Sequence, residues 1–208
     1  MFFGRKPVMV SAAEALPGRN VPVYPVGLRH EVFGIPIDST PEGTEVAYFA
    51  LGCFWGEEKM FWNTEGVRNT AVGYQGGFTP NPTYEEVCSG LTGHTETVRV
   101  CFDPTVVSYA ELVRQFFEAH DPTQGFRQGN DVGTQYRSAL FVSADQEPIA
   151  RAGAETAQAA YSAAGFGQLT TEIADGGEFF FAEDYHQQYL LKNPAGYCPV
   201  HATGVACG

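Results

Sequence analysis

The sequence predicts an α+β fold: a two-layer sandwich in which helices pack on a mixed β-sheet around a ferredoxin-like core. The first observation is the order of apolar patterns, which runs strand, helix, strand, strand, helix, strand, helix, strand. It mixes helical crossovers with strands that follow one another directly, which favours a mixed sheet over a doubly wound parallel sheet. The second observation is composition. The 208 residues are 44% hydrophobic and 13% aromatic, enough to bury a core and to argue against disorder.

The first predicted strand and helix meet at a glycine. Residues 46–51 form an almost continuous apolar run, as in a buried strand. Gly52 ends that run, and a helix is predicted to start at Cys53 or Phe54. Residues 67–72 predict a second strand, which a loop rich in Pro, Gly and Asn follows.

The later elements follow from alternation and capping patterns. Residues 95–102 alternate, so a strand with one apolar face is predicted there. Capping residues predict where the following helices start. The remaining predicted elements are a helix from the capping box at Ser108 to Asp121-Pro122, a strand over 138–142, an alanine-rich helix from Ser143 to Gly165, and a last strand over 170–173.

The chain is predicted to form one catalytic domain with two irregular ends. Residues 1–44 are rich in Pro and Gly and are interpreted as an N-terminal arm packed on the core. Residues 45–192 hold the periodic pattern of the catalytic α+β domain. Residues 193–208 are again rich in Pro and Gly, which predicts a flexible C-terminal tail.

Charge narrows the classes of partner. With 24 acidic and 12 basic residues the net charge is -12, which disfavours nucleic acid and anionic membrane surfaces as partners. No apolar stretch reaches the length of a membrane span, and the N-terminus lacks a convincing signal peptide. We therefore expect a cytoplasmic protein. Its five cysteines should be mostly reduced there, so any disulfide would be transient and catalytic.

Cys53 is the candidate nucleophile. The start of a helix presents unbonded N–H groups and a partial positive charge, which favour a thiolate. Position alone leaves a buried structural cysteine as an equal alternative, because that is a common fate of a cysteine without a disulfide. Two large aromatic side chains, Phe54 and Trp55, follow Cys53 directly. They favour the functional interpretation, since an aromatic wall suits a methyl group next to a polar sulfur.

Motifs along residues 46–200 resemble the A-type peptide-methionine sulfoxide reductases. They occur in the order expected for that family. The matching segments are Gly52-Cys53-Phe54-Trp55-Gly56, Gly73-Tyr74 with Gly76-Gly77, Asn81-Pro82-Thr83-Tyr84-Glu85-Glu86-Val87-Cys88, Gly93-His94-Thr95-Glu96, residues 128–138, residues 182–190 and Lys192-Asn193-Pro194. The resemblance implies reduction of the S epimer of methionine sulfoxide, free or in oxidised proteins, with no bound cofactor or metal.

The resemblance also implies roles for individual residues. A thiolate can attack a sulfoxide sulfur only if the oxygen is protonated as electrons arrive, so the site needs a nucleophile, an acid and donors to the oxygen. Cys53 would be the nucleophile and Glu96 the acid, its pKa raised by burial. The implied supporting residues are Tyr84 and Tyr136 as donors to the oxygen, Asp131 as a hydrogen-bonding group, and Phe54 and Trp55 as the binding site of the substrate methyl group.

Two tail cysteines are implied to restore the thiol. A sulfenic acid on Cys53 would condense with Cys198, and Cys207 would then take over the disulfide for reduction by thioredoxin. The interval from Cys198 to Cys207 is about one residue longer than the family pattern leads us to expect. Cys88 and Cys101 are interpreted as structural residues in core-like positions.

Two other functions are considered. A cysteine hydrolase or transferase would use Cys53 with a nearby histidine base, and would not need tail cysteines. A zinc-binding interaction module would use Cys198, His201 and Cys207, although their spacing is irregular for zinc. His186 is expected to have a structural hydrogen-bonding role. The protein is expected to be a monomer.

Overall fold

The computed structural model describes residues 6–24, 27–197 and 201–207. Its main feature is a sheet of six strands with the order β7-β6-β1-β3-β2-β8. The strands are β1 (Glu45–Ala50), β2 (Val67–Gln75), β3 (Thr95–Phe102), β4 (Arg127–Gln128), β5 (Asp131–Val132), β6 (Ala139–Phe141), β7 (Glu172–Ala174) and β8 (Phe180–Phe181). The helices are α1 (Phe54–Trp62), α2 (Tyr84–Cys88), α3 (Tyr109–Ala119), α4 (Glu147–Ala163) and α5 (Tyr189–Lys192).

The centre of the sheet has the predicted ferredoxin-like arrangement. Strands β6, β1, β3 and β2 lie side by side, and each neighbouring pair is antiparallel. Helix α1 connects β1 to β2 across the intervening strand β3, and α3 lies between β3 and β6 in the chain. The sheet is mixed because β7 joins β6 in parallel. The predicted α+β fold with helices on a mixed sheet is confirmed.

The apolar core lies between the sheet and the helices. Facing positions of β1 and β3, such as Phe49 opposite Val98, are fully buried. Helix α3 contributes one buried apolar face, and its start is capped as predicted by the Ser108 side chain, which accepts the Glu111 N–H at 3.1 Å. The largest buried aromatic side chains on this side are Phe49, Phe54, Phe61, Tyr74, Phe102, Phe116, Phe117 and Tyr161.

Part of the N-terminal arm covers the opposite face of the sheet. The Asn69 side chain on β2 donates to the carbonyls of Pro36 and Ser39, at 3.0 Å each. Arg99 on β3 donates to Thr40 Oγ1 at 2.6 Å. All eight residues of β3 are therefore buried, including those on its polar face. Groups of the arm thus satisfy the donors of Asn69 and Arg99 on that face.

Some element boundaries differ from the sequence predictions. The alanine-rich helix starts at Glu147, four residues after the predicted start at Ser143, and Ser143 and Gln146 exchange two side-chain-to-backbone hydrogen bonds of 3.3 Å in the preceding turn. The structure also contains the short helix α2 and the hairpin β4–β5, which the sequence did not indicate. Among the described residues, no helix is long and apolar enough to cross a membrane.

The described part of the C-terminal tail lies against α3 and α4. Tyr161 and Thr203 share a hydroxyl hydrogen bond of 2.9 Å. The Cys207 N–H donates to Glu118 Oε1 at 2.8 Å, and the Cys207 side chain is only 6% exposed. The predicted resolving residue Cys198 lies outside the described residues. The flexibility of the tail stays a prediction.

Candidate active site

Cys53 occupies the junction between β1 and α1. It has extended backbone angles and is the N-cap residue of α1, so the predicted strand-to-helix position is correct. Gly52 has a φ of +125°, and a Cβ there would come within 2.8 Å of the Gln128 side chain. Only glycine fits both that backbone conformation and that space. The tight turn brings the half-buried Cys53 thiol to the end of the sheet.

Glu96 lies beside the start of α1. It stands on β3 opposite Tyr74, points to the helix side of the sheet and is only 1% exposed. Its Oε2 accepts the backbone N–H of Phe54 at 3.1 Å. Burial raises the pKa of Glu96 to about 8, and the charge of Asp131 adds to the increase, whereas the Phe54 N–H opposes it. The carboxyl group is therefore mostly protonated at neutral pH, as a proton donor must be.

The pKa of the Cys53 thiol is shifted in the opposite direction from the one that the sequence predicted. Helix position predicted a lowered pKa, but burial and the charge of Glu96 raise the pKa of Cys53 well above its ordinary value. The Trp55 backbone N–H lowers it only in part. The Phe54 N–H, the other amide at this end of the helix, bonds Glu96 and not the sulfur. Without substrate, the structure favours the protonated thiol.

Tyr84 and Tyr136, the predicted donors to the substrate oxygen, both lie near this pair. Tyr84 starts α2, and its backbone N–H is fixed by Glu183 Oε1 at 2.9 Å. Tyr136 ends a 3₁₀ turn. Burial, followed by the charge of Glu96, raises the pKa of both phenols above the ordinary value. Both therefore stay protonated and can donate a hydrogen bond to an oxygen.

Asp131 brings negative charge to the same site. It lies on β5, and both of its carboxylate oxygens are 3.3 Å from the Tyr197 hydroxyl. Its charge contributes to the raised pKa of Glu96 and, to a smaller extent, of Cys53. In this structure Asp131 therefore acts on the acid and the nucleophile through its charge.

The two aromatic residues after Cys53 have different environments. Phe54 is fully buried, with its ring centre 5.1 Å from that of His186. Trp55 is partly exposed and stacks on Tyr189, with ring centres 3.9 Å apart and planes at 18°. The Trp55 Nε1–H also donates to His186 Nδ1 at 3.0 Å. Trp55 therefore presents a fixed aromatic face, and Phe54 lies beneath the surface of the site.

Two residues that adjoin this site differ from the sequence interpretation, which left Glu57 unassigned and placed Cys88 in the core. Glu57, in the first turn of α1, accepts the Leu51 N–H at 3.2 Å, and burial raises its pKa well above the ordinary value. Its position one turn after Cys53 was the available signal. Cys88 is exposed at the end of α2, so its predicted core position is wrong, whereas that of Cys101 is correct. Helix α2 is only five residues long and turns its last residue outward.

The two tail residues of the zinc alternative have separate surroundings. The ring of His201 lies where a Cβ of Gly129 would be, whereas Cys207 is bound between α3 and α4. Within residues 6–24, 27–197 and 201–207, no group of three or more potential ligands is arranged to hold a metal ion. These contacts give the zinc module no support.

The hydrolase alternative needs a histidine base at Cys53. The buried histidines bond other groups: His30 bonds Thr70, His94 bonds Thr79 and Gly77, His120 bonds Phe116 and Ser138, and His186 bonds Trp55 through Nδ1 while its Nε2 has no hydrogen-bond partner. Among the described side chains, no histidine hydrogen-bonds Cys53. The candidate proton carrier at Cys53 is instead Glu96, whose carboxyl group accepts the N–H of the next residue, Phe54.

Comparisons with known proteins agree with the motifs. Residues 45–206 match the family model for peptide methionine sulfoxide reductase. A Streptomyces griseus protein named peptide methionine sulfoxide reductase MsrA is 59% identical over 98% of this chain and 93% of its own length. An Azorhizobium caulinodans protein of the same name is also 59% identical, over 100% of this chain and 96% of its own.

Solved structures of similar proteins share the fold. Methionine sulfoxide reductase A of Corynebacterium diphtheriae is 52% identical, with a TM-score of 0.88 over 97% of this chain and 99% of that one. Mxr1 from Saccharomyces cerevisiae in its reduced form is 37% identical, with a TM-score of 0.68 over 77% of this chain and 92% of that one.

Proposed function

The chain belongs to the peptide methionine sulfoxide reductase family, and on that premise we propose that Cys53 and Glu96 carry out the reduction of methionine sulfoxide. The observation that carries the proposal is the Phe54 N–H bonded to Glu96 Oε2 at 3.1 Å, directly after Cys53 in the chain. This bond fixes a protonated carboxyl group at the start of the helix that also positions the nucleophile. The activity itself follows from membership of the family. The proposal therefore concerns which part of the reaction each of these residues performs.

The first step transfers oxygen from substrate to enzyme. Glu96 protonates the sulfoxide oxygen while the sulfur of Cys53 attacks the substrate sulfur. The S–O bond of the substrate breaks as the protonated oxygen moves to the Cys53 sulfur, and the transient S–S bond breaks with it. Methionine leaves, and a sulfenic acid remains on Cys53. The substrate sulfur gains two electrons and Cys53 loses two. The thiol proton ends on the transferred oxygen in the net reaction, so Glu96 is protonated before and after the step.

The phenols and Trp55 hold the substrate for this step. Tyr84 and Tyr136 stay protonated because their pKa values are raised, so both can donate to the polarised oxygen. The fixed face of Trp55 packs against the methyl group, with Phe54 supporting it from below. Burial keeps Glu96 protonated, and the negative charge of Asp131 adds to that effect.

The tail restores the thiol. The sulfenic acid condenses with Cys198 to a disulfide and releases water. Cys207 then attacks Cys198, forms the Cys198–Cys207 disulfide and frees the Cys53 thiol. Thioredoxin reduces that disulfide. Because Cys207 is buried against α3 and α4 in the described structure, the tail has to leave this position before Cys207 can react.

We place this activity in the cytoplasm, with a monomer acting on the S epimer of methionine sulfoxide both free and in oxidised proteins. Reduced cysteines and an external dithiol donor suit that compartment. The net charge of -12 is compatible with a soluble enzyme that does not use nucleic acid.

Mass spectrometry of a trapped intermediate tests the proposal. A C198S/C207S protein that reacts with one equivalent of a methionine sulfoxide peptide should release one equivalent of methionine peptide. The protein should gain one oxygen on Cys53, captured by a sulfenic acid reagent. A matched C88S/C101S protein should instead accumulate the tail disulfide. Thioredoxin-dependent recycling by C198S/C207S would refute the tail relay, and turnover by C53S would refute the nucleophile.

A further inference from the structure

A buried carboxylate lies on α1 one turn after Trp55. Glu58 is fully buried, and its carboxylate oxygens accept three hydrogen bonds. Oε1 accepts from Thr70 Oγ1 at 3.0 Å and from Gln188 Nε2 at 2.7 Å, and Oε2 accepts the Gln188 backbone N–H at 2.8 Å. Two of the three donors belong to Gln188. A buried carboxylate is costly unless donors satisfy it, so these bonds constrain where Gln188 lies.

No positive charge accompanies Glu58 at bonding distance among the described side chains. The nearest ring nitrogen, His30 Nε2, is 3.9 Å away and bonds Thr70 at 2.8 Å. His30 Nδ1 accepts the backbone N–H groups of Val32 and Phe33, so it carries no proton and the imidazole is neutral. The network therefore depends on hydrogen bonds to Glu58, and not on a salt bridge.

Gln188 has a backbone conformation that needs support. Its φ is +48° and its ψ is +40°, the left-handed region that residues other than glycine rarely adopt. Both of its donors to Glu58 and its side-chain oxygen, which accepts the Glu31 N–H at 3.2 Å, hold it there. A strained residue held by several bonds beside an active site suggests a functional purpose.

The turn at Gln188 lies between the two residues that contact Trp55. His186, two residues before it, accepts the Trp55 Nε1–H at 3.0 Å. Tyr189, one residue after it, stacks on the indole at 3.9 Å. Helix α1 therefore contacts this turn at two points: Glu58 bonds Gln188, and Trp55 contacts His186 and Tyr189. The spacing of three residues between Trp55 and Glu58 puts both on neighbouring positions of the helix.

We propose that Glu58 is a positioning residue, which holds the left-handed turn at Gln188 and thereby fixes Trp55 between His186 and Tyr189. The inference rests on the proposed role of Trp55 in binding the substrate methyl group. Glu58 touches neither substrate nor Cys53. Its effect is expected in substrate binding and in the environment of the Trp55 indole, and not in the chemical step.

E58Q tests this in a W62F background, which leaves Trp55 as the only tryptophan of the two in the chain. The glutamine amide puts an NH₂ group against one of the donors from Gln188 or Thr70, so one bond is lost. We expect KM for a methionine sulfoxide peptide to rise about 5–20-fold, while the single-turnover rate at saturation changes less than about twofold. The Trp55 emission maximum and its acrylamide quenching should change as well. E111Q, on the exposed side of α3, is the matched control and should change none of these.

Variants of Gln188 separate positioning from general stability. Glycine adopts the left-handed conformation without strain and keeps the backbone N–H bonded to Glu58, whereas alanine is strained there. Q188G should therefore have a lower KM than Q188A and Trp55 emission closer to that of the parent. If E58Q and Q188A lower the melting temperature but leave KM and Trp55 emission unchanged, Glu58 is merely structural and the proposal is overturned.

The same assays distinguish this proposal from the underlying function. If W55A leaves KM unchanged, Trp55 does not bind the methyl group and that part of the proposed function fails. A change of Trp55 emission in E58Q would still support the proposal that Glu58 positions Trp55 in that case. If W55A raises KM and E58Q changes neither KM nor Trp55 emission, the positioning role alone fails.

Discussion

The backbone N–H of Phe54 donates to Glu96 Oε2 across 3.1 Å, so an N-terminal amide of α1 serves the acid and not the thiol. The amide stabilises negative charge on Glu96 and lowers its pKa, but burial outweighs it and leaves the pKa at about 8. Cys53, which lacks that amide and faces three nearby carboxyl groups, has a raised pKa. The resting site therefore holds both reacting groups in their neutral forms. Substrate binding has to supply the remaining activation of the thiol.

Replacement of Glu96 by glutamine should remove the proton donor while keeping its shape. Glutamine can still accept the Phe54 N–H, so α1 should start as before. We expect E96Q to slow the single-turnover step roughly 10²–10⁴-fold, the usual contribution of a general acid. The wild-type rate should also fall as pH rises through about 8, where Glu96 loses its proton.

The measurement is a single-turnover pH profile from 6 to 10, with the exposed variant E65Q as control. E96Q should lack the decrease near pH 8, and E65Q should retain it. A wild-type profile that stays flat through pH 8, or a decrease near pH 8 that persists in E96Q, would contradict the role of Glu96 as acid.

The same substitution should make the protein more stable at high pH. The folded-state pKa of Glu96 is about 8 and its ordinary value is 4.5, so the folded protein holds this proton more tightly than the unfolded chain. That stabilisation is complete below about pH 4.5 and is lost as pH rises through 8. One pKa unit corresponds to about 1.4 kcal/mol, so E96Q should gain roughly 2–4 kcal/mol relative to wild type between pH 5 and pH 8.5. Urea unfolding of both proteins at the two pH values measures the gain, and a constant difference would disprove it.

The sequence predicted the fold well where one pattern determines one element. The alternation in residues 95–102 and the apolar run before Gly52 both correspond to strands of the central sheet. Contacts between residues far apart in the sequence were harder to predict. The bond between Phe54 and Glu96 depends on how α1 packs against the sheet in which β3 pairs with β2, and the pattern of a single element does not specify its tertiary neighbours.

The wrong predictions concerned properties that depend on how deeply a side chain is buried. The helix-terminus argument considered only local dipoles, whereas the Cys53 pKa is governed by desolvation and by carboxyl groups from other elements. Cys88 was assigned to the core because a free cysteine usually packs as a small hydrophobic residue, yet α2 is too short to return its last residue to the core. The left-handed turn at Gln188 had no signal at all, since glutamine is not a residue expected in that conformation.

Loosening the tail should expose Cys207. The Thr203 hydroxyl bonds Tyr161 at 2.9 Å, and Cys207 is buried a few residues further along. A neutral hydrogen bond contributes about 1 kcal/mol, so T203V should raise the population of the released tail about fivefold. The rate of iodoacetamide labelling at Cys207, followed by mass spectrometry of the reduced protein, should rise by the same factor. T105V, at an exposed turn before α3, is the control; equal labelling rates in T203V and wild type would show that this contact does not hold the tail.

The hydrogen bond from Trp55 Nε1–H to His186 Nδ1 should contribute to substrate binding. Any side chain at position 186 that supplies an acceptor there should preserve that contribution. Burial lowers the pKa of His186 to about 4, so the ring is neutral at working pH and Nδ1 can accept. Asparagine carries an oxygen near the position of Nδ1, whereas leucine has the size but no acceptor. We therefore expect H186N to raise KM no more than about threefold, and H186L to raise it about 10-fold, because a buried indole N–H without a partner costs about 1–3 kcal/mol. W55F, which removes the donor instead, should make H186N and H186L equivalent. KM values for the two single and two double variants complete the cycle, and an undiminished difference between H186N and H186L in the W55F background would show that His186 acts through another contact.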